Sequence, residues 1–131
     1  MQTIATSFNA EVDQYFRDHF SMTLSTSSFT GIPHANTAQY VNDDQFVYFF
    51  AREQSVLLGN LTSNHSAAFT VDDYSPDWRK RRELHGSGSC GIAEGVQREA
   101  IRALCAEKFG EPLPQGVLCW LEPSGMYFVE Y

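Results

Sequence analysis

Closely spaced β-type segments joined by short polar turns leave this chain few ways to fold. Alternation of apolar and polar residues over 21–26 predicts a strand, and residues 46–50 are apolar on both faces, which indicates a central strand. Consecutive strands that are joined by short turns pair antiparallel. The predicted strands cover 21–26, 33–41, 46–50, 67–71, 117–121 and 126–131, with another in the mixed segment 78–92 and a turn at 122–125.

Three short helices are predicted between these strands, over 8–20, 55–64 and 97–109, and prolines at 112 and 114 mark a loop. Ser7 or Asn9 can cap the first helix, Ser55 can cap the second, and Gly110 can end the third. No repeat or linker divides the chain, so we expect one domain over residues 1–131. Six or so antiparallel strands with few helices predict a small barrel.

Composition limits the partners and the compartment. The 131 residues include 9 Lys+Arg and 16 Asp+Glu, a formal net charge of −7, which disfavours nucleic acid and anionic membrane as partners. A secretory leader and a bilayer-spanning apolar window are both absent from the sequence. The three cysteines form no C-x-x-C pair and the histidines have no ligand spacing, so we predict a cytoplasmic protein without a metal site.

Two local motifs have both a structural and a functional interpretation. Residues 86–91 fit the pattern G-x-G-x-x-G, but no buried strand precedes them and the next predicted helix begins too late. We therefore interpret them as a bulged antiparallel strand. The second motif, the basic run Arg79, Lys80, Arg81 and Arg82, predicts either a solvated edge or a phosphate site.

Several segments follow one another in an order that is known from other proteins. They are SMTLST at 21–26, GIPHA at 31–35, FVYFF at 46–50, Ser55, Asn60, Asn64, AAFTVDD at 67–73 and LCWLEP at 118–123. In this order they resemble the pyridoxamine 5′-phosphate oxidase-like split-barrel flavoproteins, and the similarity covers about residues 20–131.

The resemblance implies an α+β fold, a six-stranded antiparallel split β-barrel with short flanking helices, which forms a homodimer and binds FMN at the interface. Residues after the third strand would hold the flavin phosphate, the second strand would run beside the isoalloxazine ring, and Trp120 would come from the facing subunit. The cofactor-binding residues that it implies are Asn36, Thr37, Gln39, Arg52, Gln54, Ser55, Asn60 and Trp120.

The chain departs from the family pattern at two positions where that pattern usually has a basic residue. Leu57 and Gly59 stand there, and each lost charged hydrogen bond weakens phosphate binding by about 1.5–3 kcal/mol. From the resemblance we expect a flavin-dependent oxidoreductase that acts on a small molecule. Three alternatives stay open: a haem-binding relative that uses His34 or His85, a deazaflavin-binding relative, and a dimeric scaffold without cofactor. In a dimer, the basic run is a candidate replacement for the two missing cations at the cofactor site of the partner.

Overall fold

The computed structural model describes residues 1–95, 97–111 and 115–131, and the predicted loop at Pro112 and Pro114 lies outside them. The strands are β1 (Gln2–Thr6), β2 (Ser21–Ser27), β3 (Pro33–Gln39), β4 (Val41–Asp43), β5 (Phe46–Ala51), β6 (Ser66–Asp73), β7 (Arg82–Ile92) and β8 (Val117–Glu130). The α-helices are α1 (Ala10–Asp18), α2 (Val56–Leu61) and α3 (Gln97–Phe109), and a 3₁₀ helix covers Trp78–Lys80.

Local capping groups set the ends of the helices. The Asn9 side chain accepts a hydrogen bond from the Val12 N–H at 3.0 Å, and the Ser55 hydroxyl accepts one from the Leu58 N–H at 3.1 Å. Gly110 follows α3 in the left-handed region, with φ of 79°, which only glycine adopts at little cost. All three predicted helices are confirmed, although α1 and α2 are shorter than the sequence pattern indicates.

The strands form one antiparallel sheet in the order β3-β2-β6-β7-β8-β5-β4, and β1 pairs with β8. One edge of β8 pairs with β7, while its other edge pairs first with β5 and then with β1. The sheet curls so far that β3 and β5, which lie far apart in this order, line the same cavity. The predicted α+β antiparallel split barrel is therefore confirmed, and it is open between β3 and β5.

The prediction of two final strands joined by a turn at 122–125 is wrong. β8 continues through these residues because β7 pairs with it on both sides of them. Ser87 pairs with Gly125 and Gly88 pairs with Pro123, so Ser124 is the extra residue of a β-bulge. Two further differences are β1, which the sequence analysis missed, and β4, which is separate from β3.

The glycine motif at 86–91 lies within β7, as the bulged-strand interpretation predicts. A Cβ on Gly86 would come within 2.5 Å of the Phe69 ring, and one on Gly88 within 2.1 Å of the Glu122 carbonyl oxygen. These glycines therefore permit close packing between strands. The dinucleotide interpretation fails because β7 is antiparallel to its neighbours and α3 begins only at Gln97.

Two hydrophobic clusters hold the sheet and the helices together. The main cluster lies inside the curled sheet, where α1 contributes Val12, Tyr15 and Phe16. In the smaller cluster, Ile101 and Cys105 of α3 join buried residues of β4, β5 and β8. The second cluster fixes α3 beside β5, which brings the start of α3 close to the open side of the barrel. None of the described helices is long and apolar enough to cross a membrane.

Candidate functional site

A tight turn follows β5 and directs two polar side chains toward the open side of the barrel. Gln54 has a φ of 64°, a left-handed conformation that is uncommon for a residue other than glycine. The Ser55 N–H donates a hydrogen bond to the Arg52 carbonyl at 3.2 Å, which closes the turn. As a result, the side chains of Arg52 and Ser55 reach the same cavity.

This cavity, the β3–β5 cavity, has a volume of about 240 Å³. Asn36, Thr37, Ala38 and Gln39 of β3 contribute one side of it. The remaining lining residues are Phe50, Ala51, Arg52, Ser55, Leu57 and Gln115. Five of the eight predicted cofactor-binding residues therefore meet here: Asn36, Thr37, Gln39, Arg52 and Ser55.

The lining of the β3–β5 cavity combines unsatisfied hydrogen-bonding capacity with one cation. The amide oxygen of Asn36 is buried and has no hydrogen-bond partner among the described residues. A buried acceptor of this kind costs about 1–3 kcal/mol unless a donor reaches it. The Arg52 guanidinium can grip a phosphate with two parallel N–H donors, and the Ser55 hydroxyl can donate to the same anion. These groups suit a ligand that carries both N–H donors and a phosphate.

A second cavity, of about 410 Å³, adjoins the first and is rich in arginine. We name it the arginine cavity, and its lining residues are Arg52, Glu53, Arg98, Arg102, Gln115 and Gly116. Arg98 and Arg102 are one turn apart on α3, so they share a helix face. The sequence analysis missed both, although their i, i+4 spacing is visible in the sequence.

The comparison with family models matches residues 8–130 to pyridoxamine 5′-phosphate oxidase, and this range is most of the chain. The protein belongs to the pyridoxamine 5′-phosphate oxidase family. The predicted family is thereby confirmed. No curated protein matches the sequence as a relative.

Solved structures similar to this family member share its fold at low sequence identity. The heme storage protein HutZ from Vibrio cholerae is 17% identical with a TM-score of 0.77, and the match covers 92% of this chain and 94% of HutZ. An FAD-binding protein from Mesorhizobium loti is 14% identical with a TM-score of 0.76, with 98% and 97% of the two chains covered. The FAD-binding protein from Mycobacterium smegmatis is 16% identical with a TM-score of 0.73, with 97% and 98% covered.

The other three predicted cofactor residues lie outside the β3–β5 cavity of this family member. Gln54 is exposed in the turn before α2, and the Asn60 amide is buried and donates to the Thr26 hydroxyl at 3.1 Å. Trp120 lines a different cavity, of about 470 Å³, together with residues of β5, β7 and β8 and the two residues 93 and 94 after β7. Within one protomer, none of these three residues lines either of the two cavities that Arg52 lines.

The two positions where the family pattern is usually basic have different surroundings in this pyridoxamine 5′-phosphate oxidase family member. Leu57 is 5% exposed and belongs to the main core, although it also lines the β3–β5 cavity. Gly59 is exposed on α2, and a Cβ there would meet no atom within 4 Å. The cations near the cavity therefore come from the end of β5 and from α3, not from α2.

The arginines of the basic run form ion pairs with carboxylates of the same chain. Its ion pairs join Arg79 to Asp77, Arg81 to Glu83, and Arg82 to both Glu11 and Glu130, at distances of 3.0–3.3 Å. Arg82 lies opposite the last residue of β8, whereas Ala51, beside Arg52, lies opposite the first. The two ends of β8 are roughly 40 Å apart along the strand. Within one chain, the basic run therefore does not replace the cations missing at Leu57 and Gly59.

Another cavity, of about 320 Å³, is lined by one of the two candidate haem ligands. His85 and Tyr127 line it together with residues of β2 and β6. The His85 ring hydrogen-bonds the Glu83 carboxylate at 2.8 Å through Nε2 and lies 3.4 Å from the Tyr127 hydroxyl through Nδ1. Burial opposes ionisation of Glu83, but hydrogen bonds from His85 and Tyr131 outweigh it, so the pKa of Glu83 lies below its ordinary value.

The three cysteines are buried free thiols, and they do not form a reactive centre. Burial raises the pKa of Cys90 and of Cys119 to about 12, so both thiols stay protonated and unreactive at neutral pH. Burial also raises the pKa of Cys105. In the part of the chain that the structure describes, no three His, Cys, Asp or Glu side chains are placed to hold a metal ion.

Proposed function

We propose that this protein binds the FMN moiety of a flavin in the β3–β5 cavity and acts as a flavin-dependent oxidoreductase on a small molecule. The observation that carries the proposal is the meeting of Asn36, Thr37 and Gln39 with Arg52 and Ser55 at one cavity. The first three supply hydrogen-bonding groups along a strand, and the last two supply a cation and a hydroxyl. FMN needs both sets, one for its ring and the other for its phosphate.

The chain's own groups would bind and orient the cofactor. The β3 residues would run beside the isoalloxazine ring, where a ring N–H fits the unpartnered amide oxygen of Asn36. Arg52 and Ser55 would hold the phosphate, and Leu57 would contribute an apolar part of the lining. A bound flavin supplies the hydride or electron transfer chemistry. Two similar structures are of proteins named FAD-binding, which supports a flavin as the class of cofactor.

The proposed flavin site includes a second copy of this chain. Two large apolar side chains near the β2–β3 turn, Phe29 and Ile32, are 84% and 66% exposed, and such surface is often covered by a partner. In the homodimer, Trp120 from the facing subunit would reach the edge of the flavin. The molar mass in solution tests this proposal: light scattering gives twice the chain mass if it holds and the mass of one chain if it fails.

A titration with FMN tests the proposed function. We expect wild-type protein to bind FMN and then to absorb blue light as flavoproteins do. Arg52→Ala should bind FMN about 10- to 100-fold more weakly, because one charged hydrogen-bonding group is lost. Arg79→Ala is the matched control, since Arg79 pairs with Asp77 far from the cavity. Equal affinity of Arg52→Ala and wild type would remove Arg52 from the site. Wild-type protein that does not bind any flavin would overturn the proposal.

Haem binding is the second candidate function. HutZ, which is named a heme storage protein, shares the fold, and His85 lines a cavity beside Tyr127. Both nitrogens of the His85 ring already face other side chains, so an iron atom would have to displace one of them. The other candidate ligand, His34, is half-buried on β3. A Soret band that is lost in His85→Ala or His34→Ala would favour this function over flavin binding.

The same spectra distinguish the remaining alternatives. Binding of a deazaflavin but not of FMN would identify a deazaflavin-dependent relative. A dimer that binds none of these cofactors would be a scaffold.

We also propose that the protein works in the reducing cytoplasm, because Cys90, Cys105 and Cys119 are all buried free thiols.

A further inference from the structure

The arginines of this chain divide into two groups by their partners. Arg17, Arg79, Arg81 and Arg82 each form an ion pair with a carboxylate. Arg52, Arg98 and Arg102 form no ion pair with the described residues, and all three line the arginine cavity. The chain as a whole has a net charge of −7. The arginine cavity nevertheless has three guanidinium groups without carboxylate partners among the described residues, and this local positive charge can attract an anion.

Contacts within the chain hold Arg98 in place at this cavity. Its Nη2 donates to the Gly116 carbonyl at 3.0 Å, and its guanidinium lies over the Phe50 ring, 5.3 Å from the ring centroid. These contacts leave further N–H donors of the guanidinium free for a ligand. The Glu53 carboxylate also lines the cavity, so three cations face one anion there. A fixed arginine loses less side-chain entropy when it binds an anion than a mobile one does.

The arginine cavity continues from the β3–β5 cavity. Arg52 and Gln115 line both cavities, whereas the β3 residues line only the first. The arginine cavity therefore lies beyond the phosphate position, on the side away from the proposed ring site. A ligand that extends past Arg52 would therefore pass from the β3 residues to Arg98 and Arg102.

We infer that the arginine cavity is a second anion subsite, in which Arg98 and Arg102 bind the second phosphoryl group of a diphosphate ligand. The inference rests on the proposed flavin function and specifies its cofactor as a flavin dinucleotide. The adenosine half of this cofactor lies beyond Arg52, and the dinucleotide binds more tightly than the mononucleotide. Arg52 lies between the two subsites and can contact both phosphoryl groups.

Calorimetric titration with FMN, FAD and ADP tests this inference on the full chain. For wild type, we expect tighter binding of FAD than of FMN. The double variant Arg98→Gln/Arg102→Gln should bind FAD about 100-fold more weakly and FMN nearly as well as wild type, because only FAD carries the second phosphoryl group. Arg102→Gln alone should lose about tenfold. Arg79→Gln is the control, with both affinities unchanged.

Retained FMN binding shows that a variant is folded, and Arg102→Gln keeps the Arg98–Gly116 hydrogen bond in case the double variant is unstable. Equal losses for FMN and FAD, or no loss for either, would overturn the inference while the flavin function stands. ADP binding that depends on Arg98 and Arg102, in a protein that binds no flavin, would overturn the flavin function and leave the anion subsite supported. If neither flavin nor ADP binds to wild type, both proposals fail.

Discussion

The buried side chains of Asn60 and Thr26 hydrogen-bond each other at 3.1 Å, the Asn60 amide donating to the Thr26 hydroxyl. They are 6% and 3% exposed, so water does not compete for either group. The bond joins α2, which Ser55 caps, to β2 in the main sheet. The position of the predicted phosphate-binding turn therefore depends on this polar contact in the interior.

Replacement of Asn60 by Ala should lower the free energy of unfolding by about 1–3 kcal/mol, because the Thr26 hydroxyl is then buried without its partner. Urea denaturation measures this loss. The double variant Thr26→Val/Asn60→Leu should recover part of the stability, since both polar groups are removed together. If Asn60→Ala leaves stability unchanged but abolishes FMN binding, Asn60 is a cofactor residue as the sequence predicts, and the structural role assigned to its side chain is wrong.

Replacement of Leu57 by Lys should destabilise the protein by about 2–4 kcal/mol, because the side chain is 5% exposed within the main core and a charge there would lose its hydration. Thermal unfolding measures the effect. Gly59→Lys is the matched control on the same helix: the position is open, so the stability change should stay within about 1 kcal/mol. Equal stability of Leu57→Lys and Gly59→Lys would show that position 57 has access to water.

Alanine should have opposite effects at two glycines. At Gly88 the new Cβ would come within 2.1 Å of the Glu122 carbonyl oxygen, so β7 and β8 must separate and we expect a loss of at least about 2 kcal/mol. At Gly59, inside α2, nothing lies within 4 Å, and alanine should stabilise by roughly 0.5–1 kcal/mol. Urea denaturation of both variants checks the prediction. A stable Gly88→Ala protein would contradict the close approach at the bulge.

The stability contributed by Lys108 should depend on pH. Burial, with a smaller effect from Arg17, lowers the pKa of this lysine to about 8, although its Nζ donates to the Phe16 carbonyl at 3.1 Å. Between about pH 8 and 10.5, the unfolded chain then binds more protons at Lys108 than the folded chain does, so stability rises with pH.

The comparison with Lys108→Met isolates this effect, because the tyrosines titrate alike in both proteins. The stability of wild type relative to the variant should rise by about 1–3 kcal/mol from near pH 7 to near pH 10. Urea denaturation at several pH values measures the difference. A difference that does not change with pH would show that the lysine keeps its ordinary pKa in the folded protein.

Local patterns in the sequence were sufficient to predict the helices. Asn9 and Ser55 begin a helix and Gly110 ends one, and each acts within a few residues of its own position. Strand pairing was less predictable. The residues 122–125 have the composition of a turn, but pairing with β7 keeps them in a continuous strand. β1 has no buried residue and no apolar alternation, so only its pairing with β8 identifies it as a strand.

Strand alternation and turn residues, which are local properties of a chain, determined a small antiparallel barrel. The resemblance of its ordered motifs to a known family then implied the split-barrel class and Asn36, Thr37, Gln39, Arg52 and Ser55 as candidate site residues. Only the tertiary structure decided which cations approach the candidate phosphate position. The conspicuous basic run forms ion pairs at the far end of β8, whereas Arg98 and Arg102 reach the cavity through the packing of α3 against β5. That packing joins residues roughly 50 positions apart in the chain, and no local pattern encodes it.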